Sequence, residues 1–338
     1  MVALYANPAL DLARREFLAY GLAKVFDDLG VPYKAVTYAI EANRLGARPF
    51  DMSHEAAAVD KLSALAAENA FRHARRSGHP SRAPLFIVGM PRSGTTLVES
   101  ILSRHTDVFA QGETGNLAAV EADGFVRLGL NPQVVGRHQM ALALQPDWLT
   151  ARAEALLQRA RATAGRTFGV ITDKLLENAV RLGQLKRPFP NARVIHVRRH
   201  PLDTGISNFF QRFSSGQGYS NRLDWIERRS RQVADSMAIW KRALDLQILD
   251  VSYEKLVADP ESEARRLVAF ASLEWTDACL EPQHTQRSVL TVSQWQARQP
   301  INRRSVDRWR RYEPWIGPMV EAMGGFEWID QEVASVLG

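Results

Sequence analysis

The sequence predicts an α/β protein: a mostly parallel sheet flanked by helices, with an all-helical segment ahead of it. Three observations predict this class. Short apolar runs, "LFIVGM", "RTFGVITDK", "ARVIHVRR" and "LQILDVSYEKL", read as strands. Helical stretches lie between them, notably residues 145–163 and 222–245, and strands alternating with helices imply a parallel sheet covered on both faces. Residues 8–75 instead carry apolar residues at helical spacing throughout.

In "REFLAYGLAKVFDDLG" Phe17, Leu18, Leu22, Val25, Phe26 and Leu29 form such a pattern. Gly30 stops that helix, and Pro32 suits the start of the next. "YKAVTYAIEANRL" follows with Ala35, Ala39 and Ala42, small enough to let two helices pack closely. The helix, glycine turn, helix unit resembles one degenerate tetratricopeptide repeat. No second copy follows at the expected spacing, and such repeats need neighbours to bury their faces, so a plain helical cap is the equal alternative. "RRSGHPSRAP", residues 75–84, carries turn and breaker residues and reads as a linker. The expected organisation is a helical segment over 1–80 and a second domain over 84–338.

"PLFIVGMPRSGTTLVES", residues 84–100, reads as a buried strand, a glycine-bracketed loop and a helix. Gly89 and Gly94 let the backbone turn so that its N–H groups point inward at phosphate oxygens, and the helix beyond adds its positive end. Arg92 supplies a planar fork, while Thr95 and Thr96 offer hydroxyls. A nucleotide triphosphatase would carry lysine where Thr95 stands, to reach terminal phosphates bridged by Mg²⁺. The bland alternative is a tight strand-to-helix turn without a ligand. "LQILDVSY" is the nearest thing to a metal-holding strand, but its Asp250 sits in mid-strand.

With these residues the sequence resembles the sulfotransferases that use 3′-phosphoadenosine 5′-phosphosulfate (PAPS), whose fold is P-loop-like. "FIVGMPRSGTTL" is similar to their 5′-phosphosulfate loop, which implies donor contacts for Pro91, Arg92, Ser93, Gly94, Thr95 and Thr96. A loop lacking lysine suits a donor lacking a triphosphate. In "VIHVRRHPLDTGISNFFQRF" Arg199 and Ser207 lie eight residues apart with Pro201 and Asp203 between them, matching the motif that holds the 3′-phosphate in this family. Alone, they read as a surface arginine and a capping serine.

The branch resembled includes tyrosylprotein sulfotransferases and bacterial sulfotransferases fused to tetratricopeptide repeats. "FAQGET" places Glu113 where that branch has its general base; otherwise Glu113 or Thr114 caps a helix. "ITDKLLEN" places Lys174 where the family contacts the bridging oxygen; the dull alternative is a surface pair with Glu177. "VSYEKL" places Tyr253 where an aromatic packs near adenine, or else in the core. In "LTVSQWQARQPINRRSVDRWRRYE" Ser293 and Arg308 match donor-contacting positions, with Ser293 and Arg92 steadying the leaving phosphate beside Lys174. His105 matches a histidine that precedes the acidic base and reads as structural. The resemblance covers about residues 84–315. It departs at His200, where an acidic residue is usual, and at "AQGE", where a doubled acid precedes the base; both put acceptor preference in doubt.

The bulk properties fit this reading. A net charge of +6 and a pI near 9.6 favour anionic partners. One cysteine, Cys279, excludes an internal disulfide and a four-cysteine metal site. No histidine pair has metal-ligand spacing, so the expected chemistry is metal-free. No basic start leads into an apolar run and no stretch is long enough to span a membrane; the expectation is a cytoplasmic enzyme that binds no nucleic acid. It is expected to move a sulfuryl group from PAPS to an acceptor hydroxyl, on a peptide tyrosine in an acidic context, a carbohydrate or a metabolite, releasing 3′,5′-adenosine bisphosphate. The rivals are a phosphate-loop kinase for a nucleotide or metabolite, and a helical-repeat adaptor without enzymatic activity. A homo-oligomer is left open.

Overall fold

The structure, a computed structural model, describes residues 1–73, 78–213, 216–285 and 299–337. Two compact units divide the chain: one comprises Ala56–Arg198 and Val233–Asn302, the other Met1–Glu55, Arg199–Gln232 and Arg303–Gly338. This division cuts across the expected order, because the first 55 residues share a unit with two later segments.

The first unit holds the sheet. Its strands are β1 (Pro84–Gly89), β2 (Val108–Ala110), β3 (Val170–Asp173), β4 (Arg193–Arg198) and β5 (Gln247–Ser252), in the order β2-β3-β1-β4-β5. All four pairings are parallel, with Gly89 opposite Val197 and Phe86 opposite Asp173. Four strands are those the apolar runs predict. β2 was not predicted, since three residues are too few to show a pattern. β1 is buried along its whole length. Leu85 and Ile87 join Val98, Ile101 and Leu102 of the helix Thr95–Ser103 and Leu267 and Val268 of the helix Pro260–Phe270 in one apolar cluster. Pro84 and Phe86, offset by one residue, line a crevice with Leu117, Leu156 and Phe189. Helices thus cover both faces, as a parallel sheet requires.

From Gly78 onward the expected linker does not hang free. Gly78 has φ +105, and a Cβ there would come within 2.2 Å of the Arg187 carbonyl. His79 N–H donates to the Pro188 carbonyl at 2.8 Å, so this stretch is packed inside the sheet unit.

The other unit is helical. Asp11 caps the helix Leu12–Asp28 by accepting from Arg14 N–H, and Gly30, at φ +70, closes it. Val31 N–H returns to the Phe26 carbonyl and Gly30 N–H to that of Asp27, the pairing of a Schellman turn. Ala35, Ala39 and Ala42 of the next helix, Pro32–Leu45, are fully buried, as expected. The face of the first helix differs in part from expectation: Leu22 is buried as expected, but alongside Ala19, Tyr20 and Ala23, whereas Phe17 and Leu29 are 64% and 67% exposed. Two buried acids of this helix have distant charged partners. Glu16 is paired with Arg212 at 3.0 Å, and Asp27 with Arg308 at 2.8 Å. Leu202, Ile206, Trp309, Tyr312, Met319 and Ile329 complete the core. Among the described residues no helix is long and apolar enough to cross a membrane.

Candidate active site

In an open parallel sheet, ligands meet the carboxyl ends of the strands, and the sheet unit's sequence-predicted residues lie there. β1 ends at Gly89, where a Cβ would come 2.4 Å from the Val197 carbonyl, so the loop leaves the sheet at a point that only glycine fits. Arg92 adopts φ +70, a left-handed conformation costing about 1 kcal/mol for a residue with a side chain. Gly94, at φ +108, precedes the helix Thr95–Ser103, and a Cβ on it would press to 2.6 Å from the Tyr253 ring. Tyr253 therefore packs directly on the loop. Ser93, Thr95 and Thr96 are buried, and the Ser93 hydroxyl has no hydrogen-bond partner among the described residues. A buried, unsatisfied hydroxyl in a strained glycine loop at a helix N-terminus is what an anion cradle leaves for its ligand.

Glu113 and Lys174 meet. Lys174 Nζ donates to Glu113 Oε1 at 2.7 Å, with the lysine side chain 1% exposed and the glutamate 40%. Lys174 is buried and turns to Glu113 rather than forming a surface pair. The helix Asn116–Leu128 starts from Gly115, which has no side-chain cap, and the Thr114 hydroxyl accepts from Asn116 N–H at 3.5 Å. β2 and β3 are hydrogen-bonded neighbours, and their continuations stay bonded: Gln111 N–H reaches the Thr172 carbonyl at 3.3 Å, and Lys174 N–H the Gly112 carbonyl at 2.8 Å. The Glu113 side chain is thus partly open to solvent beside a buried ammonium.

Two buried acids that sequence reasoning passed over lie behind this pair. Asp173 accepts from the Thr114 hydroxyl, from Leu175 N–H at 3.1 Å and from Asn178 Nδ2 at 3.2 Å. Burial pushes its pKa up to about 6, against the pull of those donors. Glu99 accepts from Gly112 N–H at 2.9 Å and from the Thr172 hydroxyl at 2.7 Å. Their only signal in the sequence is a carboxylate at an apolar position, Asp173 ending a strand and Glu99 inside "TTLVESIL". His105 is structural, as expected: its Nδ1 accepts from Asp107 N–H and its Nε2 donates to the Glu274 carbonyl, both at 3.0 Å.

Arg199, Ser207 and Arg308 belong to the helical unit. Arg199 is buried, donates to the Ser305 carbonyl, and lies 3.9 Å from Asp203. Asp203 accepts from Asp307 N–H at 2.8 Å and Trp309 N–H at 2.9 Å. Ser207 is buried on the helix Pro201–Phe209. His200 stacks on Trp309 with ring centroids 5.5 Å apart, and burial lowers its pKa to about 4, with Arg199 and Arg310 adding to the fall against Asp307. This histidine therefore packs as a neutral ring where the resemblance expects an acid. Arg308 is occupied by Asp27 and lies over the Phe210 and Tyr312 rings. Ser293 lies outside the described residues.

Several known proteins are similar to this chain. The pattern of the Sulfotransferase family matches residues 84–277, more than half of the chain. A relative from Aquifex aeolicus, described as an uncharacterized protein, is 32% identical over 333 residues, covering 95% of this chain but 43% of its own length. Protein-tyrosine sulfotransferase 1 of Danio rerio is 26% identical over 259 residues, 71% of each chain. Among solved structures, the sulfotransferase domain from the Synechococcus PCC 7002 olefin synthase superposes with a TM-score of 0.49 at 23% identity, over 70% of this chain and 89% of that one. The family match covers more than half of the chain and spans the glycine loop, Glu113, Lys174, Arg199 and Tyr253, so this chain belongs to the sulfotransferase family.

Proposed function

We propose that the protein transfers the sulfuryl group of PAPS to an acceptor hydroxyl, and that Glu113 is the general base. The observation that carries this reading is the Glu113–Lys174 pair at 2.7 Å in a chain of this family. Glu113 takes the acceptor's proton on its carboxylate as the acceptor oxygen bonds to sulfur. Lys174 favours the charge that grows on the bridging oxygen as its bond to sulfur breaks, releasing 3′,5′-adenosine bisphosphate. The loop 91–96 receives the donor's 5′ end through Arg92, the Ser93, Thr95 and Thr96 hydroxyls and the N–H groups at the helix start. Tyr253 stacks near the adenine, and Arg199 and Ser207 take the 3′-phosphate. Ser293 stands beside the leaving phosphate. Arg308, engaged with Asp27, is assigned to anchoring the C-terminal segment rather than to the donor. The name of the Danio rerio relative supports a peptide tyrosine as acceptor; carbohydrate and metabolite hydroxyls are the other outcomes of the test.

The experiment is incubation with sulfur-labelled PAPS and a panel of acidic tyrosine peptides, oligosaccharides and phenolic metabolites. Label should move to one acceptor class. Glu113→Gln should lower turnover by roughly 10²–10⁴ while adenosine bisphosphate still raises the melting temperature. A fully active Glu113→Gln protein sinks the assignment of the base.

A further inference from the structure

The pair Glu113 and Lys174 sits on two loops, and each loop is tied down by a buried carboxylate with no assigned role. The Thr114 hydroxyl donates to Asp173, so the residue after Glu113 is bonded to the residue before Lys174. On the other side, Glu99 accepts from Gly112 N–H, one residue before Glu113, and from Thr172, two before Lys174. Gly112 itself has φ +73. Glu113 is thus flanked on both sides by residues bonded to buried acids.

Glu99 carries the connection further. It stands on the helix that begins in the glycine loop, three residues after Thr96. Three residues of α-helix rise about 4.5 Å as a rigid rod. A carboxylate one turn along that rod grips the Glu113 loop, so the position of the base is referred to the loop proposed to cradle the donor. Asp173 makes a shorter link. It lines a crevice of about 30 Å³ with Phe86, Leu117, Phe189, Gln111 and Asn116, and Asn116 N–H also reaches the Thr114 hydroxyl oxygen at 3.5 Å.

We propose that Asp173, acting through Thr114, and Glu99, acting through Gly112, are positioning residues that hold Glu113 in line with Lys174 and with the donor loop. This rests on Glu113 being the base. Neither acid need touch substrate; each acts through a hydrogen bond to the backbone or side chain of the loop.

The test uses the full chain with Thr114→Val, Thr114→Ser and Glu99→Gln. Thr114→Val keeps the shape and removes the hydroxyl; it should lower kcat about 10- to 100-fold, with the KM for PAPS and the affinity for adenosine bisphosphate changed less than about threefold. Thr114→Ser should restore kcat to within a few-fold. Glu99→Gln, which loses the charge but keeps an acceptor, should lower kcat less than Thr114→Val does. In hydrogen exchange, the amides of Gly112 and Lys174 should exchange at least tenfold faster in Thr114→Val than in the natural protein. Unchanged kcat and unchanged exchange in Thr114→Val overturn the proposal. So does loss of adenosine bisphosphate binding in step with kcat, which would mark a general structural role. If the natural protein transfers no sulfuryl group to any acceptor, the functional reading fails by itself, and the exchange measurement still decides whether the brace exists.

Discussion

In the sheet unit, Glu113 and Lys174 are 61 residues apart in sequence and meet because the strands that precede them are neighbours in a parallel ladder. In the helical unit, Asp27 accepts from Arg308 and from Tyr312 across 281 and 285 residues, with no ladder between them. The first contact is delivered by backbone geometry: once β2 lies beside β3, the residues beyond their ends must meet. The second is made by side chains alone, a carboxylate in the last turn of a helix collecting cations and a phenol from a segment near the other end of the chain. Perturbing the first should therefore change chemistry while leaving the fold intact. Perturbing the second should change the fold.

The sharpest test of that contrast pairs Lys174→Met with Arg199→Ala. Losing the ammonium beside Glu113 should reduce kcat by roughly 10²–10³, measured at saturating PAPS, with adenosine bisphosphate still bound. Losing Arg199 should act mainly on affinity, weakening adenosine bisphosphate about 30- to 100-fold, as expected for one charge-assisted contact. If the two variants lose the same quantity, the roles proposed for Lys174 and Arg199 are wrong.

Next in size is Asp27→Ala. It strips the acceptor from Arg308, Arg311 and Tyr312 at once. Removing one member of a buried ionic cluster costs about 3 kcal/mol, read as a lower urea midpoint. Asp250 offers the control in the sheet unit. Burial alone would raise its pKa, but His196 at 2.9 Å and Lys241 at 2.5 Å outweigh it and hold the carboxyl well below the usual range. Those contacts fix Asp250 in mid-strand.

A third prediction concerns pH. Glu227 in the helical unit is 0% exposed, with Arg231 Nε 3.3 Å away, and burial raises its pKa to about 8, with Glu332 adding to the rise against Arg231. A folded pKa above the unfolded value means that the favourable contribution is complete below about pH 4.5 and is lost as pH rises toward 8. Glu227→Gln removes that loss. Its melting temperature should fall less than that of the natural protein between pH 5 and pH 8.5, by the equivalent of about 1.4 kcal/mol or more, one pKa unit's worth. Parallel pH curves for the two proteins refute the assignment.

The same contrast explains what the sequence made legible. Four strands and the glycine loop follow from local apolar runs and motif spacing, which are properties of contiguous residues, whereas Glu113 and Lys174 were singled out only by the family resemblance. β2 was missed because three residues carry no period, and Asp173 and Glu99 because a buried acid is recognised only through partners brought by other strands. In the helical unit the buried face of the first helix was misread in part. Hydrophobic periodicity nominates a face, but Glu16 and Asp27, as helix residues, gave no hint of the arginines that would reach them from residues 212 and 308.

That misreading yields the smallest effect and a direct discrimination. If the periodic face of the helix Leu12–Asp28 were the packed one, Phe17 would be a core residue and Phe17→Gln would cost several kcal/mol, since truncating or polarising a buried phenylalanine removes its transfer free energy and leaves a cavity. With the ring 64% exposed, the same substitution removes little burial and creates no void, so the change should stay within about 0.5 kcal/mol. Leu22, of the same periodic set but fully buried, is the internal comparison: Leu22→Ala should cost about 2–5 kcal/mol. Chemical denaturation of the two variants side by side reads both. Equal losses would mean that the whole periodic set is packed.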